Sequence, residues 1–467
     1  MDAIQSVLTS QILAGLEFNK PEHNAMLFRP LGDQGASWFI TQQLLGFEKE
    51  VSAEEYYSWE EGRIHETFLV RANVAAPGAG NDIVVVVAAA SMDASNRFYV
   101  QRGDDVKFAN QVSGYVRVVD KTTDPTAPSI TIAPYNVASD IGALTAGDEI
   151  VIYSNNASEG SDQPGSRITK PTKRTGHLTM VKSTFSTTGH ERTNMTWTNI
   201  VDGVSGQFLG RYSIELDINL GFRHNLAMSH KLLVSELTTN TTKVVDSTAI
   251  ANADPVAYGT EGLITAMAAR AIQSAKASGA VVLDDFYVWN LALTKQHNSS
   301  DVLAMCGNKR MQNVIKILFA ANYNTGVDWT EKTMASGLVG DVGDTRARAM
   351  ALDVRTLDID GRRWHFKNMN EFNNPETLGA ENMPYRDMMA VVPIGRTTDA
   401  KSREVIPYSG MRFKKLGDYN RKMEVWEDGT AGPGAKNGQS DVKHHYMRSH
   451  IGAEHVCVNK YLLVQAP

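Results

Sequence analysis

The chain has little cysteine. Cys306 and Cys457 are its only two in 467 residues, too few for a disulfide framework and without the spacing of a metal site. A reducing cytoplasm is the expected place of synthesis, and both thiols are expected to serve as small buried hydrophobes. Long apolar runs are also missing. The most apolar stretch, Ile83 to Ala90, is far short of the roughly 20 residues that a bilayer-crossing helix needs, and the N-terminus lacks the basic-then-apolar order of a secretory signal. No membrane partner is therefore expected. A chain opening at Met1 is expected to have lost no leader from that end. Positive charge is not in excess. A net charge of -6 excludes a general grip on nucleic-acid phosphates, although an acidic container can still confine DNA without holding it.

The spacings that carry catalysis are missing too. There is no Gly-x-x-x-x-Gly-Lys-Ser/Thr phosphate loop and no His-Glu-x-x-His. Gly203-Val204-Ser205-Gly206 approaches a nucleophile elbow, but Gln207 stands where the second glycine must be. His444, His445, His450, Glu454 and His455 are the densest candidate ligands. Were 445 to 455 helical, only His450 and Glu454 would share a face, so surface or interface histidines are expected there. Gly337, Gly340 and Gly343 with Asp341 and Asp344 lack the alternating carboxylates of a calcium loop. A hydrolase using His365 or the C-terminal histidines would rest on no spaced motif. The expectation is a protein that is not an enzyme, with no cofactor and no metal.

What the chain does have is a change of pattern along its length. With 42% hydrophobic and 21% charged residues it is globular, and too long for one core. Residues 1–62 mix short apolar clusters with breakers at Gly15, Pro21, Pro30, Gly32 and Gly35. They read as an N-terminal arm that needs another surface to lie on. Short strands follow at Phe68 to Val70, Ile83 to Val87, Arg97 to Val100, Val106 to Phe108, Gly114 to Val119, Ser129 to Ile132 and Glu149 to Tyr153. Turns such as Gly103-Asp104 and Gly147-Asp148 punctuate them, predicting a small β-barrel or sandwich over about 68–155. Arg102-Gly103-Asp104 is read as a hairpin turn rather than an adhesion motif.

A hinge at 156–175 and an extended return strand from Thr179 lead to a helical period from Ser205 to Glu236. Gly206, Gly210 and Gly221 weaken that helix by up to about 1 kcal/mol each, so packing must hold it. Beyond it the sequence predicts α/β layers. These comprise a helix from Leu263 to Ala277, strands at 280–283 and 286–289, a cap at Asn298 to Asp301 before a helix through Ala321, and strands at 349–357, 363–366, 388–394 and 456–464. A flexible Gly-rich loop spans 429–438.

The segment Glu159-Gly160-Ser161-Asp162-Gln163-Pro164, followed by Lys170-Pro171-Thr172-Lys173-Arg174-Thr175, resembles the loop that joins the β-rich insertion to the long helix in a family of tailed-bacteriophage major capsid proteins. The order of parts resembles the capsid fold shared by tailed phages, encapsulins and herpesviruses, and within it podovirus-type, crAss-like phages. This resemblance implies an α+β capsid fold with an N-terminal arm (1–62), an extended loop carrying an inserted β-barrel (63–200), a spine helix and peripheral domain (201–255), a first axial part (256–345), and axial and peripheral strands (346–467). It also implies a major capsid protein assembling into hexamers and pentamers of an icosahedral shell around the phage genome, made in the host cytoplasm and located in the virion. Its partners would be itself, with portal, decoration or auxiliary capsid proteins and a scaffold. A tail tube or fibre subunit is the alternative, disfavoured by the long helix. Family members with self-catalysed Lys–Asn cross-links need lysines on the extended loop beside a buried glutamate. None is placed here, so a non-covalent shell is expected, built from contacts of about 1 mM, or roughly -4 kcal/mol, each.

Charge then suggests where subunits meet. Glu54, Glu55, Glu60, Glu61 and Glu66 form an acidic segment, and Arg167, Lys170, Lys173, Arg174 and Lys182 a basic one. They are expected to face each other across a subunit boundary, setting register more than affinity.

Overall fold

The computed structural model describes residues 26–29, 38, 47–60, 67–92, 99–121, 127–164, 171–190, 199–202, 208–210, 212–296, 300–325, 354–359, 361–394, 396–398, 405–430 and 441–466. They divide into two compact units, a larger one of 1–58 with 173–467 and a smaller one of 59–172.

The smaller unit is a six-stranded sheet, antiparallel throughout. Its order is Thr67–Leu69, Glu149–Asn155, Asp104–Lys107, Ser113–Asp120, Ser129–Pro134, Ile83–Val86. The two outermost strands meet beyond their ends at the Val70–Val87 bridge, so the sheet curls onto itself around Phe68, Val85, Val106, Val116, Ile130, Ile132 and Ile150, all at most 2% exposed. Alternation in Ile83–Val86 and over the first five residues of Glu149–Asn155 produces this inward face. Two Gly-Asp turns repeat one device: Gly103 and Gly147 both sit at φ 95°. The aspartate that follows each accepts a backbone N–H three residues upstream, from Gln101 at 2.8 Å and from Thr145 at 2.7 Å. Of the predicted strand at Arg97 to Val100, Tyr99 and Val100 lie outside any strand, and the first two residues fall outside the described ones.

In the larger unit one mixed sheet runs in the order Ile272–Ala275, Leu462–Gln465, Met389–Pro393, Asp301–Cys306, Arg362–Asn368, Val354–Ile359. Both faces are buried. Val302, Ala304 and Cys306, with Trp364 and Phe366, pack on Phe286, Trp289 and Leu293 of the helix Leu283–Lys295 and on Val314 of the helix Asn308–Thr325. Leu303 and Met305 point the other way, toward Leu263, Ala266 and Met267 of the helix Leu263–Arg270 and toward Met228 and Leu232 of the helix Tyr212–Val234. A strand buried on both faces reads as a continuous apolar run, which is why Asp301–Cys306 forms the sheet centre and not the predicted cap and helix start.

Other elements differ from those expected. Residues 283–295 are helical, not two strands: Asp285 accepts the Val282 N–H at 3.0 Å, and Phe286, Trp289 and Leu293 fall on one helical face. The Leu263 helix stops at Arg270 because Ile272–Ala275 ladders with Leu462–Gln465. The central helix begins at Tyr212 rather than Ser205, since Phe208–Gly210 pairs with Asn199–Asp202. The last strand is confined to Leu462–Gln465 by a left-handed Cys457 (φ 55°) and a short helical turn at Val458–Lys460. The near-elbow at 203–206 and the glycine loop at 337–344 lie outside the described residues, as do 431–438 of the Gly-rich loop and most of the arm.

A second sheet underlies the central helix. The fourteen-residue strand Val442–His455 pairs antiparallel with Thr179–Thr188 on one side, and with Ser409–Leu416 and Glu424–Gly429 on the other; Glu48–Val51 closes it beyond Ser409–Leu416. His224 of the helix, fully buried, joins Ser183 (2.8 Å from Nδ1) to Ser449 (2.7 Å from Nε2). Burial holds its pKa below the usual imidazole value, so it binds the two strands in the neutral form. From the arm, Trp38 enters the same core and donates its backbone N–H to buried Glu371 at 2.7 Å, which also accepts from Ser229 at 2.9 Å.

Candidate assembly surfaces

Of the acidic candidates, Glu54, Glu55 and Glu60 are described, and Glu61 and Glu66 lie outside. Of the basic ones, Lys173, Arg174 and Lys182 are described, and Arg167 and Lys170 lie outside. The structure brings the two segments together within one chain: Glu55–Glu60 and Thr172–His177 pair as a two-stranded ribbon. Leu178 N–H donates to the Glu54 carbonyl at 2.9 Å, and the Lys173 ammonium sits 3.9 Å from the centre of the exposed Tyr57 ring. Gly176 is needed where Tyr56 crosses, since a Cβ there would stand 2.5 Å from the ring. The Tyr56 hydroxyl is buried against Thr260 and the Ala453 carbonyl, and burial raises its pKa.

Glu54 itself does not meet the basic segment. Its carboxylate accepts from Lys414 at 2.5 Å, and that hydrogen bond lowers its pKa against a smaller opposing effect of burial. Glu50 and Glu48 make the matching pairs with Lys415 (2.7 Å) and Lys422 (2.6 Å). The parallel register of Glu48–Val51 on Met411–Lys414 places these partners within reach. Lys182 is exposed on Thr179–Thr188 and helps keep the Asp246 carboxyl low, after the hydrogen bonds from Thr248.

The C-terminal histidines lie on a strand, so they alternate between faces. Odd-numbered His445 is stacked 4.4 Å from Phe185, on the side of Ser183 and Ser449 that meets the helix, with Nδ1 3.1 Å from Glu427. His455 is buried with Nδ1 3.1 Å from Ser409, and its pKa is driven down to about 3 by burial and then by Arg270. His450 falls to about 4 through burial and the nearby cations Arg421 and Lys414. No group of three or more metal-ligating side chains occurs among the described residues. Asp104 of the Arg-Gly-Asp tripeptide is 1% exposed and turned inward to Gln101, which leaves no free carboxylate for an adhesion receptor.

The opposite, even-numbered face of this sheet was not foreseen from the sequence. Its rows run Lys182–Arg448–Glu424, Thr184–Tyr446–Trp426 and Ser186–His444–Asp428. Arg448 donates to Glu424 at 2.7 and 2.6 Å and lies 5.0 Å from the Trp426 ring, which stacks on Tyr446 at 5.3 Å. Alternating residues in Val442–His455 were the available signal, obscured because its inward positions include polar Ser449 and His445.

No protein-family model matches the chain, and no curated protein matches its sequence. Solved structures with some likeness include the capsid of a native GTA particle computed with C5 symmetry (8% identity over 98% of this chain and 99% of that one, TM-score 0.38). Others are the Microbacterium phage Oxtober96 structure (8% identity, 98% and 99%, TM-score 0.37) and the capsid structure of the cyanophage P-SCSP1u (10% identity, 68% and 81%, TM-score 0.35).

Proposed function

We propose that this chain is a major capsid subunit of a tailed phage, assembling through many weak, non-covalent contacts into hexamers and pentamers of a closed shell that encloses DNA. The observation that carries the reading is the path of the chain. It leaves the larger unit at Ser58, builds a separate antiparallel unit with its own core over 59–172, and returns at Lys173. The return follows directly on the Glu159-to-Pro164 stretch that resembles the capsid family's loop and leads to a 23-residue central helix. In this reading the smaller unit is the inserted barrel, the helix is the spine, and the sheets of the larger unit supply the peripheral and axial parts. The ribbon 55–60 with 172–177 carries exposed Lys173 and Arg174, which meet a neighbouring subunit. Portal, decoration and scaffold proteins are its expected partners, and the virion, built in the host cytoplasm, its location. No catalytic role is assigned.

Negative-stain electron microscopy of the purified full chain tests this. Closed shells, or five- and six-membered rings, are expected. Open tubes would favour a tail subunit, and a monomer that persists even beside the neighbouring structural proteins of its source would overturn the reading.

A further inference from the structure

The larger unit carries a sheet edge that a free-standing protein would protect. Among the described residues, Thr179–Thr188 ladders on one side only, with Val442–His455. Over 179–187 this edge has no proline, no register shift and one charged side chain, Lys182. Edges of this length are usually blunted by proline, bulges or several charges, because their outward N–H and C=O groups invite another strand.

A second observation lies across the sheet. Glu424–Gly429 forms the opposite border of the same stretch, level with 182–187. It and the hairpin before it expose apolar side chains on both faces: Leu416 is 73% exposed, Tyr419 55%, Val425 60% and Trp426 40%. Exposed apolar side chains at a border strand already placed in a sheet mark surface that becomes covered. The strand carries Glu424, held by Arg448, Glu427, held by Lys443 and His445, and Asp428, whereas the opposite edge carries Lys182.

We infer that these two borders are complementary halves of one contact between copies: the Glu424–Gly429 strand of one subunit adds in parallel to the Thr179–Thr188 edge of the next. Both strands run antiparallel to Val442–His455 and hence parallel to each other. The added strand therefore keeps its own direction, as a head-to-tail contact requires. Joining at the same level sets Glu424 opposite Lys182, Trp426 opposite Thr184 and Asp428 opposite Ser186. Backbone hydrogen bonds supply affinity and the Lys182–Glu424 row supplies register. Because the two borders differ, the contact is heterologous, the kind that propagates around a ring instead of stopping at a dimer. This inference rests on the assembly reading above and names the surface that reading needs.

Hydrogen exchange of the intact chain decides it, measured by mass spectrometry on peptides covering 179–188 and 424–429 in assembled particles and in dispersed subunits. In particles, the alternate amides of 179–188 that face away from Val442–His455 are expected to slow by about tenfold or more, together with those of 424–429. Particles in which either peptide exchanges as it does in the free subunit overturn the inference while leaving the assembly reading intact. Failure to form any particle overturns both. Lys182→Glu is expected to lower particle yield several-fold and Lys182→Arg to preserve it, with the melting temperature of the dispersed subunit unchanged in each; equal yields would remove the Lys182–Glu424 register.

Discussion

The two units are held together by different chemistry. In the smaller unit the core is one aliphatic and aromatic cluster, with Ser91, Asp104 and Asp105 as the buried polar side chains among the described residues, and Gly103 and Gly147 fix locally the turns that open two of its strands. In the larger unit the apolar clusters are tied together by buried polar groups from distant parts of the chain: His224 between Ser183 and Ser449, Glu371 between Trp38 and Ser229, and Arg310 on the carbonyls of Lys276 (2.6 Å) and Asp387 (2.7 Å). Apolar burial tolerates changes in proton concentration; a joint made of buried imidazole does not. The larger unit is thus specified more narrowly and is more sensitive to conditions. All of the protein's histidines but His65 belong to it.

The largest expected effects come from cutting each core separately. Phe286, fully buried and edge-on to Trp289 and Trp364, should cost the larger unit about 3–5 kcal/mol as Phe286→Ala. Ile130→Ala, also at a fully buried position, should cost the smaller unit roughly 2–4 kcal/mol. Calorimetry should show each substitution lowering a different transition. A joint shift of both transitions would show that the units do not unfold separately.

Acid sharpens the contrast. His450 and His455 have folded pKa values depressed to about 4 and about 3, below the usual 6.5, so the unfolded chain takes up their protons first. Their contribution is fully present above about pH 6.5 and is lost progressively as pH falls from there to the folded values. Thermal melts at pH 7.5 and 4.5 should show the larger unit's transition falling and the smaller unit's holding. His450→Gln and His455→Gln should flatten that dependence.

A smaller effect should come from the turns. At Gly147 a Cβ would meet nothing within 4 Å, so Gly147→Ala isolates the cost of a side chain at φ 95°, about 1–2 kcal/mol. A chemical melt should show it confined to the smaller unit.

How legible each region was in the sequence follows the same division. The smaller unit's strands at Ile83, Ser129 and Glu149 could be read because alternation and Gly-Asp turns act within a few residues. In the larger unit the helix 283–295 looked like strands because Val281, Val282, Tyr287 and Val288 carry β-propensity, and only tertiary packing on Trp364 and Phe366 decides for the helix. The buried run Val302 to Cys306 has no period to separate strand from helix. Of the candidate surfaces, the acidic and basic segments were visible as charge. Their partners were not, because Glu54 meets Lys414 through a register set 360 residues away in sequence. The even face of Val442–His455 stayed hidden for the same reason: a row such as Lys182–Arg448–Glu424 exists only once three remote strands align.

The proposed assembly requires many copies of this chain to build one particle. Light scattering on the purified protein, followed from dispersed subunits of 51.2 kDa into assembly conditions with its neighbouring structural proteins present, measures that mass directly. A sharp rise to a single closed species of fixed, very large mass, with no continuum above it, is expected. A scattering mass that stays at one subunit, or one that grows without limit as open filaments do, would contradict it.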